Sequence, residues 1–168
     1  MVAKYRWFVV WFVVALGLDQ GSKIWARQAL KPIYPQVKTV ISGFFEMRYS
    51  ENPGSAFGAF RNMPGSRYFL FIVGVLALLY VAYMLKRAKP SAGRLGAELG
   101  LLAGGAFGNI IDRIMIGRVT DFIVWRAGSY EWPTFNIADA ALVIGVILLF
   151  FDMKNHESPK AKAAPAKK

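Results

Sequence analysis

Four long apolar runs, separated by more polar segments, dominate the pattern of the chain. They cover residues 5–26, 68–85, 95–114 and 136–151. A helix needs about 20 residues to cross the hydrocarbon core of a bilayer, and the runs approach that length. The last run is the shortest, so we expect it to extend back to Phe135 or to start tilted. The pattern predicts a membrane α-helical protein with four transmembrane helices.

The two longer connecting segments, residues 28–67 and 115–134, have a different pattern. They combine prolines and glycines with β-prone stretches at 37–41, 44–49 and 118–125. These stretches predict a small extracytoplasmic β-sheet. We expect this sheet to form a cradle on the membrane surface, with Phe, Trp and Tyr side chains at the depth of the headgroups.

The chain has 21 basic and 10 acidic residues, a formal net charge of +11. Much of the excess lies in short clusters beside the apolar runs, as the positive-inside rule expects of cytoplasmic segments. A nucleic-acid-binding protein would instead carry a basic face or stripe. We therefore predict that both termini are cytoplasmic and that nucleic acid is not a partner. The clustered residues are Lys4, Arg6, Lys86, Arg87, Lys89, Arg94, Lys154, Lys160, Lys162, Lys167 and Lys168.

The N-terminus is charged and then apolar, as in a secretory signal, but polar residues at 19–23 interrupt it. No small-x-small cleavage site follows. We expect a retained first helix and a single integral-membrane domain over residues 1–155. Residues 156–168, rich in Lys, Ala and Pro, are predicted to be a disordered cytoplasmic tail.

The composition narrows the chemistry that the chain can perform. Cysteine is absent, which excludes disulfides, thiolate nucleophiles and Cys-bound zinc. The one histidine, His156, lies in the predicted tail, so neither a Ser-His-Asp triad nor a His-ligated zinc is expected. We predict that the protein uses no metal and no cofactor.

Polar residues inside the apolar runs fall at one depth, toward the predicted outer ends of three helices. Ionisable groups in a membrane cost several kcal/mol unless they are paired or hydrated, so each is a candidate functional residue. Helical spacing places them on one face of each helix. Glycines in the third run would allow close helix packing. The polar residues are Asp19, Lys23, Asn109, Asp112, Arg113, Asn136 and Asp139, and the glycines are Gly100, Gly104, Gly105 and Gly108.

A further acid, Asp121, lies in a β-prone stretch just after the third run. We expect its side chain to point back toward the layer of polar residues at the outer ends of the helices. Two carboxylates without His or Cys suggest water activation by an aspartate pair that shares one proton. One member of the pair, Asp121 or Asp139, would stay protonated and polarise the scissile carbonyl, and the other would take a proton from water. Asn109, Asn136 and Arg113 would orient the pair or hold the carbonyl.

Five blocks of the sequence resemble those of lipoprotein signal peptidases, in the same order and over nearly the whole chain. They are DQGSK at 19–23, NPGSAF at 52–57, GNIIDR at 108–113, VTDF at 119–122 and FNIAD at 135–139. The resemblance implies a metal-free aspartic endopeptidase of the bacterial inner membrane. Such an enzyme removes the signal peptide from diacylglyceryl-modified prolipoproteins, just before the lipidated cysteine and near the periplasmic face.

The resemblance also implies roles for individual residues. Asp121 and Asp139 match the catalytic pair. Thr120, where the family more often has valine, is expected to be a harmless departure, and the role of Asp112 is left open. The implied partners are prolipoprotein substrates and membrane lipid, and we expect a monomer. The implied supporting residues are Asp19, Lys23, Asn52, Asn109, Arg113 and Asn136.

Simpler structural roles remain open for these residues. Asp19 with Lys23, and Asp112 with Arg113, are candidates for structural ion pairs. Asp139 is a candidate for a helix cap together with Asn136, and Asn52 for a turn residue. Residues 51–67, rich in Gly and Phe, are a candidate for a mobile lid.

Three other functions remain open at this point. Intramembrane acids also build ion or proton paths, although such a path would need polar groups through the whole membrane depth. A Ser-Lys peptidase could use Lys23 as base with Ser22, Ser55 or Ser66 as nucleophile. A purely structural membrane scaffold is the fourth hypothesis, and it gives no reason for the layer of acids.

Overall fold

The structure, a computed structural model, describes residues 2–33, 37–54 and 65–157. Over these residues it contains the four predicted helices and the predicted strands. The helices are α1 (Ala3–Ala29), α2 (Ser66–Arg87), α3 (Gly93–Met115) and α4 (Ile137–Glu157), and the strands are β1 (Val37–Ile41), β2 (Phe45–Asn52), β3 (Val119–Ala127) and β4 (Tyr130–Glu131).

The helices are longer than predicted, because flanking polar residues continue the backbone hydrogen-bonding pattern past each apolar run. The largest difference is in α4, which continues to Glu157 and so includes the start of the segment predicted to be disordered. The rest of that segment, 158–168, lies outside the described residues. So does 55–64, the larger part of the proposed lid.

Large apolar side chains cover the outside of the bundle. Leu76 and Leu79 of α2 are 58% and 62% exposed, and Phe150 of α4 is 63% exposed. Water-soluble proteins rarely expose contiguous apolar surface on this scale, and such a surface is typical of helices that contact lipid. Among the described residues, α1 and α2 have the length and mean hydropathy of membrane spans, with values of 1.2 and 2.4.

Glycines allow α1 and α3 to pack closely side by side. Three glycines of α3, four residues apart, face backbone oxygens of α1 that are also four residues apart, so the two helices run parallel. A Cβ atom at any of these glycines would lie within 3.0 Å of that oxygen, closer than real Cβ atoms come. The facing pairs are Gly96 with Lys4, Gly100 with Phe8 and Gly104 with Phe12. The predicted packing role of these glycines is confirmed, and it extends to Gly96.

The four strands form one antiparallel sheet in the order β1-β2-β3-β4. The register between β2 and β3 places Ser50 opposite Asp121 and Asn52 opposite Val119. Apolar side chains from the end of α1 pack against the sheet and hold it across the ends of the helices. This cluster contains Ala26, Leu30, Tyr49 and Phe122. The packing brings Asp121 of β3 to the level of the polar layer in the bundle.

Candidate active site

A cleft of about 400 Å³ lies where α2, α3 and α4 meet β3. Most of its lining is apolar, including Val73, Ile110 and Leu142. Five residues predicted for the site also line it: Asn52, Asn109, Arg113, Asp121 and Asp139. The other three, Asp19, Lys23 and Asn136, are completely buried. The structure thus brings all eight predicted residues into one region.

Asp121 is held in the cleft wall by two amide side chains. Asn52 donates from Nδ2 to its Oδ2 at 3.1 Å, and Asn136 donates from Nδ2 to its Oδ1 at 2.7 Å. Burial is the main cause that raises the pKa of Asp121 to about 7, and the nearby charge of Asp139 raises it further. The two amide donors favour the ionised form but only partly offset these effects.

Asp139 lies in the first turn of α4 and makes both capping and site contacts. The backbone N–H of Asn136 donates to its Oδ2 at 3.3 Å, and its own N–H donates to Oδ1 of Asn136 at 3.0 Å. This exchange is a reciprocal cap, as the simpler interpretation predicted. The other oxygen, Oδ1, accepts from Nδ2 of Asn109 at 2.8 Å, and the carboxylate lines the cleft. Capping and a role in the site are therefore compatible.

Asn136 connects the two carboxylates. Its side-chain amide donates to Asp121 and, at 3.2 Å, to Oδ1 of Asn109, while its backbone donates to Asp139. Asn136 has no exposed surface, so its side chain cannot exchange these partners for water. A shared, rigid hydrogen-bond partner keeps the geometry of the two acids constant.

Lys23 and Asp19 form an ion pair behind the cleft. Both are fully buried, and the Nζ of Lys23 lies 2.9 Å from Oδ2 of Asp19. Nζ also donates to Oδ1 of Asn109 at 2.9 Å, and Oδ1 of Asp19 accepts the backbone N–H of Ala138 at 2.9 Å. The pair thus supports the residues around Asp139 from behind. A Cβ at Gly108 would collide with Asp19, which explains the glycine there.

Asn52 combines the predicted turn role with a contact to the site. Its Oδ1 accepts the backbone N–H of Gly54 at 3.0 Å, while its Nδ2 reaches Asp121. Gly54 has a φ of 134°, and a Cβ there would lie 2.6–2.9 Å from atoms of Ser66 and Arg67 at the start of α2. Only glycine suits this close turn. The last three residues of the block 52–57 lie outside the described residues.

The proposed ion pair between Asp112 and Arg113 is not formed. Asp112 instead pairs with Arg27, whose Nη2 lies 2.6 Å from Oδ1. Adjacent helical residues point about 100° apart, so Arg113 faces the cleft and donates to the backbone oxygen of Asn109 at 3.1 Å. Its guanidinium group lines the cleft, and its buried Nε has no hydrogen-bond partner among the described residues.

Two residues near the site were missed or undervalued by the sequence analysis. Arg27 was not considered, although it continues the polar face of α1 four residues after Lys23, and that spacing could have revealed it. Thr120 was expected to be harmless, yet it is fully buried and its Oγ1 accepts from Nε of Arg27 at 3.0 Å.

The contacts do not favour the alternative chemistries. Lys23 donates to Asp19 and Asn109, while the hydroxyl of Ser22 donates to the backbone oxygen of Asp19 at 2.9 Å. Of the other two candidate nucleophiles, Ser55 lies outside the described residues and Ser66 is the first residue of α2. In the described part of the chain, no group of three or more His, Cys, Asp or Glu side chains could hold a metal ion.

Two solved bacterial membrane enzymes share this fold. One, determined by the in meso method at 2.3 Å resolution, superposes with a TM-score of 0.78 at 29% identity, over 95% of this chain and 94% of that chain. The other, at 1.9 Å, gives a TM-score of 0.76 at 30% identity, over 87% and 91%. The fold and the cleft therefore place the chain among membrane enzymes built from helices and a small antiparallel sheet.

The family model described as signal peptidase (SPase) II matches residues 11–155. Lipoprotein signal peptidase of Cellvibrio japonicus is 40% identical over 88% of this chain and 85% of its own length. The corresponding proteins of Symbiobacterium thermophilum and Geobacter metallireducens are 38% and 34% identical, over 86% and 96% of this chain and 92% and 99% of theirs. The chain belongs to the signal peptidase II family and is a protease, which confirms the resemblance seen in the sequence.

Proposed function

We propose that this protein is an aspartic endopeptidase of the bacterial inner membrane. It removes the signal peptide from diacylglyceryl-modified prolipoproteins, just before the lipidated cysteine. The observation that carries the proposal is that Asp121 and Asp139 come from separate elements, line one cleft and share the hydrogen-bond partner Asn136. The names of the relatives support the choice of substrate.

The two aspartates differ in their surroundings, and this difference suggests their roles. Asp139 lies at the N-terminus of α4, where the helix dipole stabilises negative charge, and it accepts two hydrogen bonds. Asp121 has its pKa raised to about 7, mainly by burial. We assign the ionised form to Asp139 and the proton to Asp121, with the pair titrating as a unit.

The reaction then proceeds by general acid–base catalysis. Asp139 takes a proton from a water molecule while the oxygen of that water attacks the scissile carbonyl carbon. Asp121 gives its own proton to the carbonyl oxygen. The guanidinium group of Arg113, which lines the cleft, holds the same carbonyl. As the C–N bond breaks, Asp139 returns its proton to the leaving amine and Asp121 regains one from the diol. The products are the carboxyl end of the signal peptide and the amine of the lipidated cysteine.

The distribution of charge supports four membrane spans with both termini in the cytoplasm. Basic residues Lys86, Arg87 and Arg94 lie in or beside the α2–α3 connection, at the end of the bundle opposite the cleft. The positive-inside rule assigns that end to the cytoplasm and hence the cleft to the periplasmic side. The proposed partners are the lipidated substrate and membrane lipid, with a monomer as the working unit.

A cleavage assay with the purified enzyme in detergent tests the proposal. A diacylglyceryl-modified prolipoprotein is expected to be cleaved just before its modified cysteine, as mass spectrometry of both products would show. The matched control is the same precursor without the diacylglyceryl group, which we expect to be cleaved at least about 100-fold more slowly because its lipid-binding energy is lost. Equal cleavage of the two precursors would contradict the substrate assignment.

The pKa of Asp121 predicts the pH dependence of the reaction. Because Asp121 must carry a proton to donate it, kcat/KM is expected to fall about tenfold per unit as the pH rises above about 7. The measurement is kcat/KM from about pH 5 to pH 9 at constant ionic strength, with the unfolding temperature recorded at each pH. A constant kcat/KM up to pH 9, in a folded enzyme, would rule out Asp121 as the proton donor.

A further inference from the structure

Arg27, Asp112 and Thr120 form a closed ring of hydrogen bonds behind the cleft. Arg27 donates from Nη2 to Oδ1 of Asp112 at 2.6 Å and from Nε to Oγ1 of Thr120 at 3.0 Å. The backbone N–H of Thr120 closes the ring by donating to Oδ2 of Asp112 at 2.9 Å. The ring joins α1, α3 and β3, three elements that are distant in sequence.

The ring holds β3 at the residue immediately before Asp121. Thr120 has no exposed surface, and both its backbone N–H and its hydroxyl are bonded. Because the backbone of Thr120 determines where the next residue begins, its position sets that of the Asp121 carboxylate. None of the three ring residues lines the cleft. Their influence on a substrate is therefore indirect.

The same ring also reaches the other aspartate. Oδ2 of Asp112 lies 3.7 Å from Nζ of Lys23, which donates to Asn109, and Asn109 donates to Asp139. Oδ2 of Asp112 thus contacts both Thr120 of β3 and Lys23, which supports the residues around Asp139. Arg27 supplies the positive charge that balances Asp112 in this buried position, as Lys23 does for Asp19.

We infer that in this chain, which has threonine where the family more often has valine, Arg27 and Thr120 are positioning residues that hold the Asp121 carboxylate at its working distance from Asp139. This inference rests on the proposed function, because it requires Asp121 to act in the reaction. A displacement of the reacting group by about 1 Å can cost 100-fold in rate, so a bond beside Asp121 has a measurable effect.

Thr120→Val and Thr120→Ser form a matched pair that tests the hydroxyl. Valine keeps the shape of the side chain but removes the acceptor for Arg27, and serine keeps the acceptor. Thr120→Val is expected to lower kcat about tenfold with KM changed by less than about threefold, and Thr120→Ser to stay within about threefold of wild type. Unchanged kcat in Thr120→Val, or an equal loss in both variants, would overturn the inference.

Arg27→Gln tests the other partner of the bond between Arg27 and Thr120. It is expected to lower kcat roughly 100-fold, because it also removes the main cation that pairs with Asp112. If both residues act through one bond, the double variant Arg27→Gln with Thr120→Val is expected to be no slower than Arg27→Gln alone. Fully additive losses would overturn the shared role. Arg48→Gln, which removes a partly exposed guanidinium that pairs with Glu46 and Glu131 on the sheet, is the charge-matched control.

Unfolding temperatures in detergent accompany each variant. If Arg27→Gln does not fold, the two Thr120 variants decide the question by themselves, since they change one group in an otherwise intact site. Failure of the proposed function looks different: wild type would not cleave the lipidated precursor, or Asp121→Asn would remain active. An active wild type, an inactive Asp121→Asn and a fully active Thr120→Val would overturn the positioning role alone.

Discussion

Replacing either Asp121 or Asp139 with asparagine is expected to lower kcat for prolipoprotein cleavage by at least about 1,000-fold. Asparagine has the size and shape of aspartate, but it can neither accept the proton of water, as Asp139 does, nor give a proton to the carbonyl oxygen, as Asp121 does. KM is expected to change little, because asparagine keeps the shape of the side chain that lines the cleft. Its single acceptor oxygen keeps one of the two hydrogen bonds that each carboxylate accepts. Single-turnover cleavage of a diacylglyceryl-modified precursor measures the effect over the necessary range.

The control for these variants is Asp152→Asn, the same chemical change at the other end of α4. Asp152 is 13 residues from Asp139, about 20 Å along the helix at 1.5 Å per residue, and its partner there is Arg94. We expect near-normal cleavage by Asp152→Asn. If a folded Asp121→Asn or Asp139→Asn variant retained more than about a tenth of the wild-type rate, that residue would be structural.

Lys23→Met is expected to destabilise the protein more than a substitution at any exposed lysine. Methionine fills much of the same space but removes the ammonium that lies 2.9 Å from Asp19 and 3.7 Å from Asp112. Removing one partner of a buried pair leaves an uncompensated charge, which costs about 3–5 kcal/mol. Asn109 also loses its donor, so activity is expected to fall with stability. Thermal unfolding in detergent and the cleavage assay measure the two effects.

Two further variants separate charge from packing in this prediction. Lys31→Met removes a lysine whose ion pair with Glu51 is half exposed, and it is expected to change stability by less than about 1 kcal/mol. Adding Asp19→Asn to Lys23→Met removes the unpaired carboxylate and is expected to recover part of the lost stability, but not the activity. Equal stability of Lys23→Met and Lys31→Met would mean that Lys23 does not balance the buried acids.

The candidate site could be predicted from the sequence to different extents for different residues. Asp19, Lys23, Asn109 and Asp139 interrupt apolar runs at helical spacing, so they were identified from periodicity and from the cost of polar groups in lipid. Asn52 was identified only through the resemblance to lipoprotein signal peptidases. An Asn-Pro-Gly turn has no local feature that distinguishes a residue of the site from an ordinary turn residue.

Pairings were predicted less well than positions. The expected partner of Asp112 was its neighbour Arg113, but the actual partner is Arg27, at a sequence separation of 85. Thr120 was expected to be a harmless departure from the valine of the family, and its contact with Arg27 was not predicted. Both cases concern contacts between elements, and such contacts depend on how α1, α3 and β3 are placed.

The sequence by itself determined the four helices, the strands and the common level of the polar residues along the helices, because hydropathy and the helical and strand periods are local properties. Only the tertiary structure decided that Asp121 turns back over the bundle, that Asn136 joins it to Asp139, and that Arg27 neutralises Asp112. The physical reason is that these hydrogen bonds and ion pairs form only after close packing along the glycines of α3 has brought distant segments together. Their energies depend on burial, which no single segment creates alone.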